Sequence, residues 1–220
     1  MSLKGKNRAI YSYNNEQRVG SNFMYKDFEK SHSYNSNFQN AKFDCASLRA
    51  AHMKFCNFDG ASFKETEFVG TNLRGSTFRG AKFQGAIFRA TVLDKADFKN
   101  AEFIDSYFVG TGVSNAKNFP VDCSGITFLN TMPSMSDFSE ELISVVQGLR
   151  TNDVIRHSNT LHLKHGKINT LSLMILLKSY SEKELVQLLP MIISLIEVQF
   201  YTLSYLKRLL KKVAQTAILK

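Results

Sequence analysis

The sequence predicts a β-solenoid with four sides per coil in the first half of the chain, followed by a helical region. From Phe23 onward a large apolar residue returns at every fifth position, and a small residue stands two positions before nearly all of them. After Pro133 the apolar spacing changes to the threes and fours of a helix. We therefore expect an N-terminal cap in residues 1–20, a column of coils in 21–132 and helices in 133–220.

The five-residue period fits a strand that turns a corner after every side. Residues two apart on a strand face the same way, so the small and the large residue both point inward while the other three turn the corner. Of the 19 positions in this register, 18 are apolar and 13 are Phe; Ser33 is either a solvated residue or a local irregularity. The predicted core residues are Phe23, Phe28, Phe38, Phe43, Leu48, Met53, Phe58, Phe63, Phe68, Leu73, Phe78, Phe83, Phe88, Leu93, Phe98, Phe103, Phe108 and Val113.

The core positions that are not Phe indicate the number of sides. There are six such positions. Five of them recur at intervals of 20 residues, which is every fourth side: Ser33, Met53, Leu73, Leu93 and Val113. A square coil places them in one column, whereas a triangular coil would scatter them. We expect Phe ladders on three interior faces and an aliphatic fourth face.

The two ends of the column are less regular than its middle. The five-residue register weakens near Phe119, and we interpret residues 114–132 as an irregular sixth coil. Ile10, Tyr11, Tyr13 and Val19 are expected to cover the open first end.

Runs such as Ala41-Lys42-Phe43 and Ala61-Ser62-Phe63 resemble the pentapeptide-repeat family, whose consensus has Leu or Phe at its centre. The resemblance covers roughly residues 21–113. It implies a right-handed quadrilateral β-helix. Some members of that family resemble a DNA duplex in size and acidity, bind type II topoisomerases and confer quinolone resistance, and these also dimerise through a C-terminal element.

The second half of the chain has helical spacing. Asp137 and Glu140 form a capping pattern before an apolar run, which predicts a helix that covers the end of the column. Ser181 and Glu184 form a capping box that opens the last helix. Between them the sequence predicts, in order, a polar loop at 151–160, a hairpin at 161–168 and an apolar helix at 168–180.

The last predicted helix carries apolar residues at alternating steps of four and three, a heptad seam typical of helices that pair. The seam consists of Leu185, Leu189, Ile192, Ile196, Gln199, Leu203, Leu206 and Leu210. Gln199 could fix register and partner number, and Pro190 is expected to kink the helix. We predict a homodimer through this seam; the alternative is that the helices pack on one another within a monomer. A membrane span over 185–206 is disfavoured because polar residues interrupt it.

Composition places the chain among ordinary globular proteins. It has 220 residues, 44% hydrophobic and 21% charged, with only 3 Pro, which excludes collagen, disordered chains and multi-span membrane proteins. The three cysteines, Cys45, Cys56 and Cys123, lack metal or redox spacing. We therefore expect reduced thiols and a cytoplasmic location.

The net charge of +9 is spread along the chain, with +4 in residues 1–138 and +5 in residues 139–220. Because neither half concentrates it in a long stripe, nucleic acid is not expected as a partner. One basic girdle stands out between Phe68 and Leu93, where four cations occur without an acid: Arg74, Arg79, Lys82 and Arg89. This girdle could contact phosphates or an acidic protein, or serve as an ordinary solubilising surface.

No motif for catalysis or metal binding is evident. A nucleotide loop, a nucleophile elbow, paired cysteines and an HExxH motif are all missing from the sequence. His162 and His165, near His157, lack a third ligand at a fixed spacing, so solvated loop histidines are the simpler interpretation. We therefore predict no catalytic residues, no cofactor and no metal.

These observations predict a non-enzymatic scaffold protein that binds an unidentified protein partner with the faces of a rigid column. The resemblance offers an alternative, a DNA mimic that binds a type II topoisomerase. Such mimicry requires a negative surface, whereas residues 21–115 hold 12 cations and 10 acids. A further alternative is a membrane-surface protein that uses the basic amphipathic tail at 206–212.

Overall fold

The computed structural model describes residues 11–218. The chain divides into two compact units, the first ending at Asn130 and the second beginning at Thr131. The first unit is a parallel β-solenoid of about five turns, and the second is helical. This is the fold class that the sequence predicts.

Eight short strands form sides of the solenoid: β1 (His32–Tyr34), β2 (His52–Lys54), β3 (Glu67–Val69), β4 (Lys82–Gln84), β5 (Ile87–Arg89), β6 (Glu102–Ile104), β7 (Ser106–Val109) and β8 (Ile126–Leu129). Their pairings are all parallel and join residues 20 apart, for example His32 with His52. They form sheets in the orders β1-β2, β3-β5-β7-β8 and β4-β6. Isolated parallel bridges repeat the same spacing on the other sides. Each coil therefore uses four sides of five residues, as predicted.

Each corner is made by a residue in the left-handed backbone region. A positive φ recurs at every fifth position from Asn15 (57°) to Gly110 (53°). This conformation is open to glycine but costs other residues roughly 1 kcal/mol each, and glycine or asparagine fills more than half of the corners. Larger residues such as Phe55 are held there by the next coil, because the Phe55 N–H donates to the Arg74 carbonyl at 3.0 Å.

Aromatic rings stack along the interior in ladders. Coils in a parallel solenoid lie about 4.8 Å apart, so equivalent rings meet face to face. The ladders are Phe38, Phe58, Phe78 and Phe98 at 5.0–5.1 Å between centroids, Phe23, Phe43, Phe63, Phe83 and Phe103 at 4.7–5.3 Å, and Phe68, Phe88 and Phe108 at 4.4–4.5 Å. Leu48 stands in the third column before Phe68, so that ladder is not continuous over the whole face as predicted.

The fourth interior column is aliphatic, with Met53, Leu73 and Leu93 at most 2% exposed. Val113, in the last coil of this column, is only half-buried. Ser33 heads the column in register with Met53 and is 2% exposed, so its interpretation as a solvated residue is wrong. The strand turns Ser33 inward like every other core position, and its hydroxyl has no hydrogen-bond partner in the described chain.

The column begins earlier than predicted. Residues 11–20 already follow the winding and bridge to the next coil, so they form two sides of a coil and not a separate cap. Tyr11 and Tyr13 lie over the first Phe rings at centroid distances of 4.8–6.5 Å. Val19, which was expected in the cap, is 53% exposed because it follows a core position and points outward. Ile10, with the rest of residues 1–10, lies outside the described residues.

Residues 114–132 form an incomplete sixth coil. The five-residue period is lost after Val113, but β8 pairs with β7 at the usual spacing of 20. Gly125 makes this possible, since a Cβ there would lie 2.0 Å from the Phe103 carbonyl oxygen. Phe119 lies across the end of the interior, with its ring centroid 5.2–5.5 Å from those of Phe98, Phe103 and Phe108.

The described part of the second unit contains five α-helices: α1 (Glu140–Gly148), α2 (Asp153–His157), α3 (Thr170–Leu176), α4 (Glu182–Met191) and α5 (Leu203–Ile218). The capping box of Ser181 and Glu184 opens α4 as predicted. The other cap was assigned wrongly. The Ser139 hydroxyl accepts from the Leu142 N–H and begins α1. Asp137 ends a preceding 3₁₀ turn that Ser134 caps, and its carboxylate accepts from the Ser134 N–H.

Three segments between α1 and α4 differ in detail from the prediction. The loop predicted at 151–160 contains α2, because the Asn152 side chain accepts from two backbone N–H groups and caps that helix. Helix α3 ends at Leu176, earlier than predicted. A single antiparallel bridge joins His162 to Ile168, as expected for a small hairpin. Arg150 donates to two carbonyls of that hairpin, at 2.8 and 3.1 Å.

The predicted heptad seam is not one helix. Helix α4 ends at Met191, just after Pro190. A 3₁₀ turn at Ile192–Leu195 and the non-helical residues 196–202 separate it from α5. Ile196 is half-buried and Gln199 is exposed in this break. The other seam residues, Leu185, Leu189, Ile192, Leu203, Leu206 and Leu210, are at most 3% exposed in the single chain. The prediction of a continuous seam for a second copy is therefore wrong, because α4 and α5 pack on one another and bury it.

His162 is buried in the second unit and is not a solvated loop residue. Its exposed fraction is 1%. Nε2–H donates to the Val146 carbonyl oxygen at 2.7 Å, and Nδ1 is buried without a partner in the described chain. Burial lowers the pKa of this imidazole below its ordinary value; the hydrogen bond to the Val146 carbonyl opposes this shift, and the charge of Arg150 adds to it. Native His162 is therefore uncharged at neutral pH.

We expect the second unit to lose stability as the pH falls below about 6.5, the ordinary pKa of histidine. Below that pH the unfolded chain binds a proton that native His162 does not bind until its lower pKa is reached. The free energy of unfolding should fall by up to about 1.4 kcal/mol per pH unit in that window. Urea unfolding at a series of pH values, followed by circular dichroism, measures this loss. His162→Gln should reduce it and the exposed His157→Gln should not; equal slopes in all three proteins would contradict the assignment.

Candidate functional site

The outer faces of the column hold the side chains that remain free for function. Each side points residues outward before and after its core position, and the spacing of 20 aligns them in rows. Many polar residues in these rows are used locally. The Asn72 side chain accepts from the Arg74 N–H at 3.1 Å, and Asp97 accepts from the Lys99 N–H at the same distance. Such turns stabilise the corner, so these residues are structural.

Several of the small inward side chains form hydrogen bonds with backbone carbonyls of the preceding coil. The hydroxyl of Thr66 donates to the Phe43 carbonyl at 2.8 Å, and that of Ser76 donates to the Met53 carbonyl at 2.8 Å. Cys56 occupies an equivalent position and is 1% exposed. Burial raises the pKa of its thiol to about 11, so Cys56 is protonated at neutral pH and is not a nucleophile.

Two cations of the predicted basic girdle are paired with acids of the next coil. Arg79 binds Asp97 at 2.8 Å, and Lys82 Nζ lies 4.0 Å from Glu102 Oε2. Burial opposes ionisation of Asp97, but hydrogen bonds from Asn118, Arg79 and the Lys99 N–H outweigh it and lower the pKa of that carboxyl. The sequence window contains no acid, but the winding brings acids of neighbouring coils beside these cations.

The third girdle cation, Arg89, belongs to a largely buried charge cluster. Arg49 and Glu67 form an ion pair at 3.7 Å, and the Glu67 residue is 6% exposed. Burial, and then the charge of Arg49, lowers the pKa of Arg89, whereas Glu67 raises it. Arg74 alone is exposed and has no ion-pair partner within residues 11–218. The girdle is therefore not a continuous cationic belt.

A different surface carries exposed aromatic and cationic side chains together. We call it the histidine face; it is built on β1, β2 and the side that follows them in the next coil, and it consists of His32, Tyr34, His52, Lys54, Phe55 and Arg74. The imidazole centroids of the two histidines lie 5.3 Å apart. The rings of Tyr34 and Phe55 meet edge to face at 5.5 Å, and these residues are 49% and 46% exposed.

The winding fixes the positions of the Phe55 ring and the two cations of this face. Gly75 lies directly below Phe55, and a Cβ at that glycine would stand 2.5 Å from the ring. Lys54 and Arg74 are equivalent positions on successive coils, and like Arg74, Lys54 has no ion-pair partner in the described chain. Sequence reasoning missed this face because its residues lie 20 or 21 positions apart. The four-sided winding could have revealed it, since such residues are neighbours on the column.

Other candidate sites receive no support from the described residues. Within 11–218, no three His, Cys, Asp or Glu side chains are grouped to hold a metal ion. No helix in that range is long and apolar enough to span a bilayer. The basic tail belongs to α5, whose apolar residues Leu203, Leu206 and Leu210 are buried. The apolar side that a membrane would contact is therefore already covered.

Comparison with known proteins relates the first unit to one family. Eight copies of the profile described as pentapeptide repeats match residues 41–80, 56–94 and 81–117. None of the curated proteins matches this chain.

Several solved structures match part of this chain. A pentapeptide repeat protein from the Arabidopsis thaliana thylakoid lumen is 20% identical, over 44% of this chain and 68% of that chain, with a TM-score of 0.29. HetL of the cyanobacterium Nostoc sp. strain PCC 7120, involved in heterocyst differentiation regulation, is 16% identical over 57% and 63%, with a TM-score of 0.30. Full-length QnrB1, a plasmid-mediated fluoroquinolone resistance protein, is 14% identical over 58% and 95%, with a TM-score of 0.26.

Proposed function

The first unit of this chain belongs to the pentapeptide-repeat family, and from that premise we propose that the protein acts without catalysis, by binding a protein partner on the faces of its column. One observation carries the proposal: the inward positions are filled by stacked rings, aliphatic side chains and hydroxyls bonded to backbone carbonyls. Because these inward side chains are buried in one continuous core, the outer faces are the surfaces that can recognise a partner. Rigid, flat faces bind with little loss of conformational entropy. The three free thiols support a cytoplasmic location.

Site-specific photo-crosslinking in the host cell tests this function. A benzoyl-phenylalanine residue replaces Tyr34, Lys64 or Lys99, which are exposed positions on three different faces. We expect one protein to be crosslinked from at least one of these faces, and unlabelled wild-type protein to compete for it. A partner-free result at all three positions, with the variants folded, would contradict a binding function of these three faces.

The alternative function, mimicry of DNA, requires a negatively charged surface on the column. A protein that replaces DNA in a topoisomerase has to present negative charge where the enzyme is positive, but the column segment 21–115 has a net charge of +2. We expect the purified protein neither to inhibit DNA gyrase supercoiling nor to protect it from a fluoroquinolone. Either effect at a small molar excess over the enzyme would favour the DNA mimic instead.

Self-association through the second unit remains a prediction, but the surface that would mediate it is not the predicted seam. The seam residues that were expected to pair are buried by α4 and α5. Three of the four large apolar residues that stay exposed in the described part of this unit lie where α4 ends and the chain leads to α5: Met191 (46%), Ile193 (42%) and Val198 (55%). A dimer through the second unit would use this segment, and the mass of the full chain in light scattering reports on it.

A further inference from the structure

We propose that the histidine face is the docking surface, and that its ligand is an acidic segment of a partner protein that also carries aromatic or aliphatic side chains. This inference rests on the proposed binding function and deepens it. It assigns one face of the column and the chemistry of what binds there. The apolar contacts, the charge and the competing ligand class each bear on the assignment.

The apolar contribution comes from Tyr34 and Phe55. Each is about half exposed. An aromatic side chain buries 150–250 Å² when fully covered, so the pair offers a partner a large apolar area that residues 11–218 leave uncovered. The Phe55 ring lies on Gly75, where a side chain would collide with it. Because the ring is already held in place, binding would immobilise little that is free. Tyrosine is among the residues most enriched at the energetic centres of interfaces.

The charge on this face selects an acidic partner. Lys54 and Arg74 lie one above the other on successive coils and have no ion-pair partner in the described part of the chain. By contrast, two girdle cations on other faces lie beside acids of the next coil, Arg79 at 2.8 Å from Asp97 and Lys82 at 4.0 Å from Glu102. Unpaired like charges beside exposed rings attract carboxylates and repel basic segments. The two histidines extend the face without adding an acid.

A protein segment fits this surface better than a nucleic acid does. Affinity for nucleic acids comes mainly from the neutralisation of several phosphates by lysine and arginine. The histidine face offers only Lys54 and Arg74 before the same row reaches Asp94 on the next coil. A short acidic peptide needs no more than two cations, and its apolar side chains would cover Tyr34 and Phe55.

Fluorescence anisotropy on the full-length protein tests the proposal with defined probes. The probes are a labelled random copolymer of glutamate and tyrosine, labelled polyglutamate of the same length and a labelled oligothymidylate. We expect the copolymer to bind at least ~5-fold more tightly than polyglutamate, because only the copolymer can cover the exposed rings, a difference of ~1 kcal/mol. The oligothymidylate should bind most weakly.

Matched variants locate the binding on this face. Phe55→Ser and Arg74→Glu should each weaken copolymer binding by ~10-fold, in the range of a dominant interface residue. The controls Ile104→Ser and Lys64→Glu make the same kinds of change at exposed residues of another face and should alter affinity less than ~2-fold. Circular dichroism melting verifies that each variant folds, and Tyr34→Ser replaces Phe55→Ser if the corner does not tolerate serine.

Three results would overturn the inference. Controls that weaken binding as much as the face variants would show a general charge effect. Polyglutamate that binds as tightly as the copolymer would leave the rings without a role. Oligothymidylate that binds most tightly, with loss in the same variants, would make the ligand a nucleic acid. Photo-crosslinks confined to the faces of Lys64 and Lys99 would also reject this face, while the proposed binding function would stand.

Discussion

Stacking of side chains between successive coils, at a fixed interval of 20 residues, is the interaction on which the rest of the first unit depends. Ring centroids of equivalent Phe residues lie 4.4–5.3 Å apart along the ladders, close to the spacing of hydrogen-bonded strands. The same 20-residue interval therefore allows both backbone hydrogen bonds between coils and stacking of the interior rings. It also forces every corner into the left-handed region, because four tight turns have to fit in each winding. A shift of one residue would turn the large side chains outward.

This constraint explains which features the sequence could predict. The core positions, the four sides and the interval of 20 follow from the spacing of Phe and of the aliphatic column. The positions of the corners could also be predicted, since glycine recurs in register at Gly60, Gly70 and Gly80. The reason for these glycines, a positive φ at each corner, is seen only in the backbone of the structure. Pairing between coils was missed where it joins distant residues, as with Arg79 and Asp97. The closing position of Phe119 could not be predicted, because it depends on an irregular chain that leaves the period.

The helical unit was harder to predict because heptad spacing does not specify the partner. The steps of four and three from Leu185 to Leu210 describe residues that face apolar surroundings, and two antiparallel or angled segments of one chain satisfy them as well as two chains do. Pro190 and the break at 196–202 divide the pattern into two helices, which bury the seam. Likewise, the spacing of three between His162 and His165 does not reveal that one is buried and the other exposed.

The outer rows that we propose for binding are assembled by the winding from residues one coil apart, so they exist only if each coil takes 20 residues. Duplication of residues 61–80, one full coil, tests it directly by thermal unfolding, with duplication of residues 61–79 as the control. We expect the 20-residue insertion to keep the protein folded with an unchanged or higher melting temperature, and the 19-residue insertion to displace every later ring and unfold the column. Equal stability of the two variants would contradict this expectation.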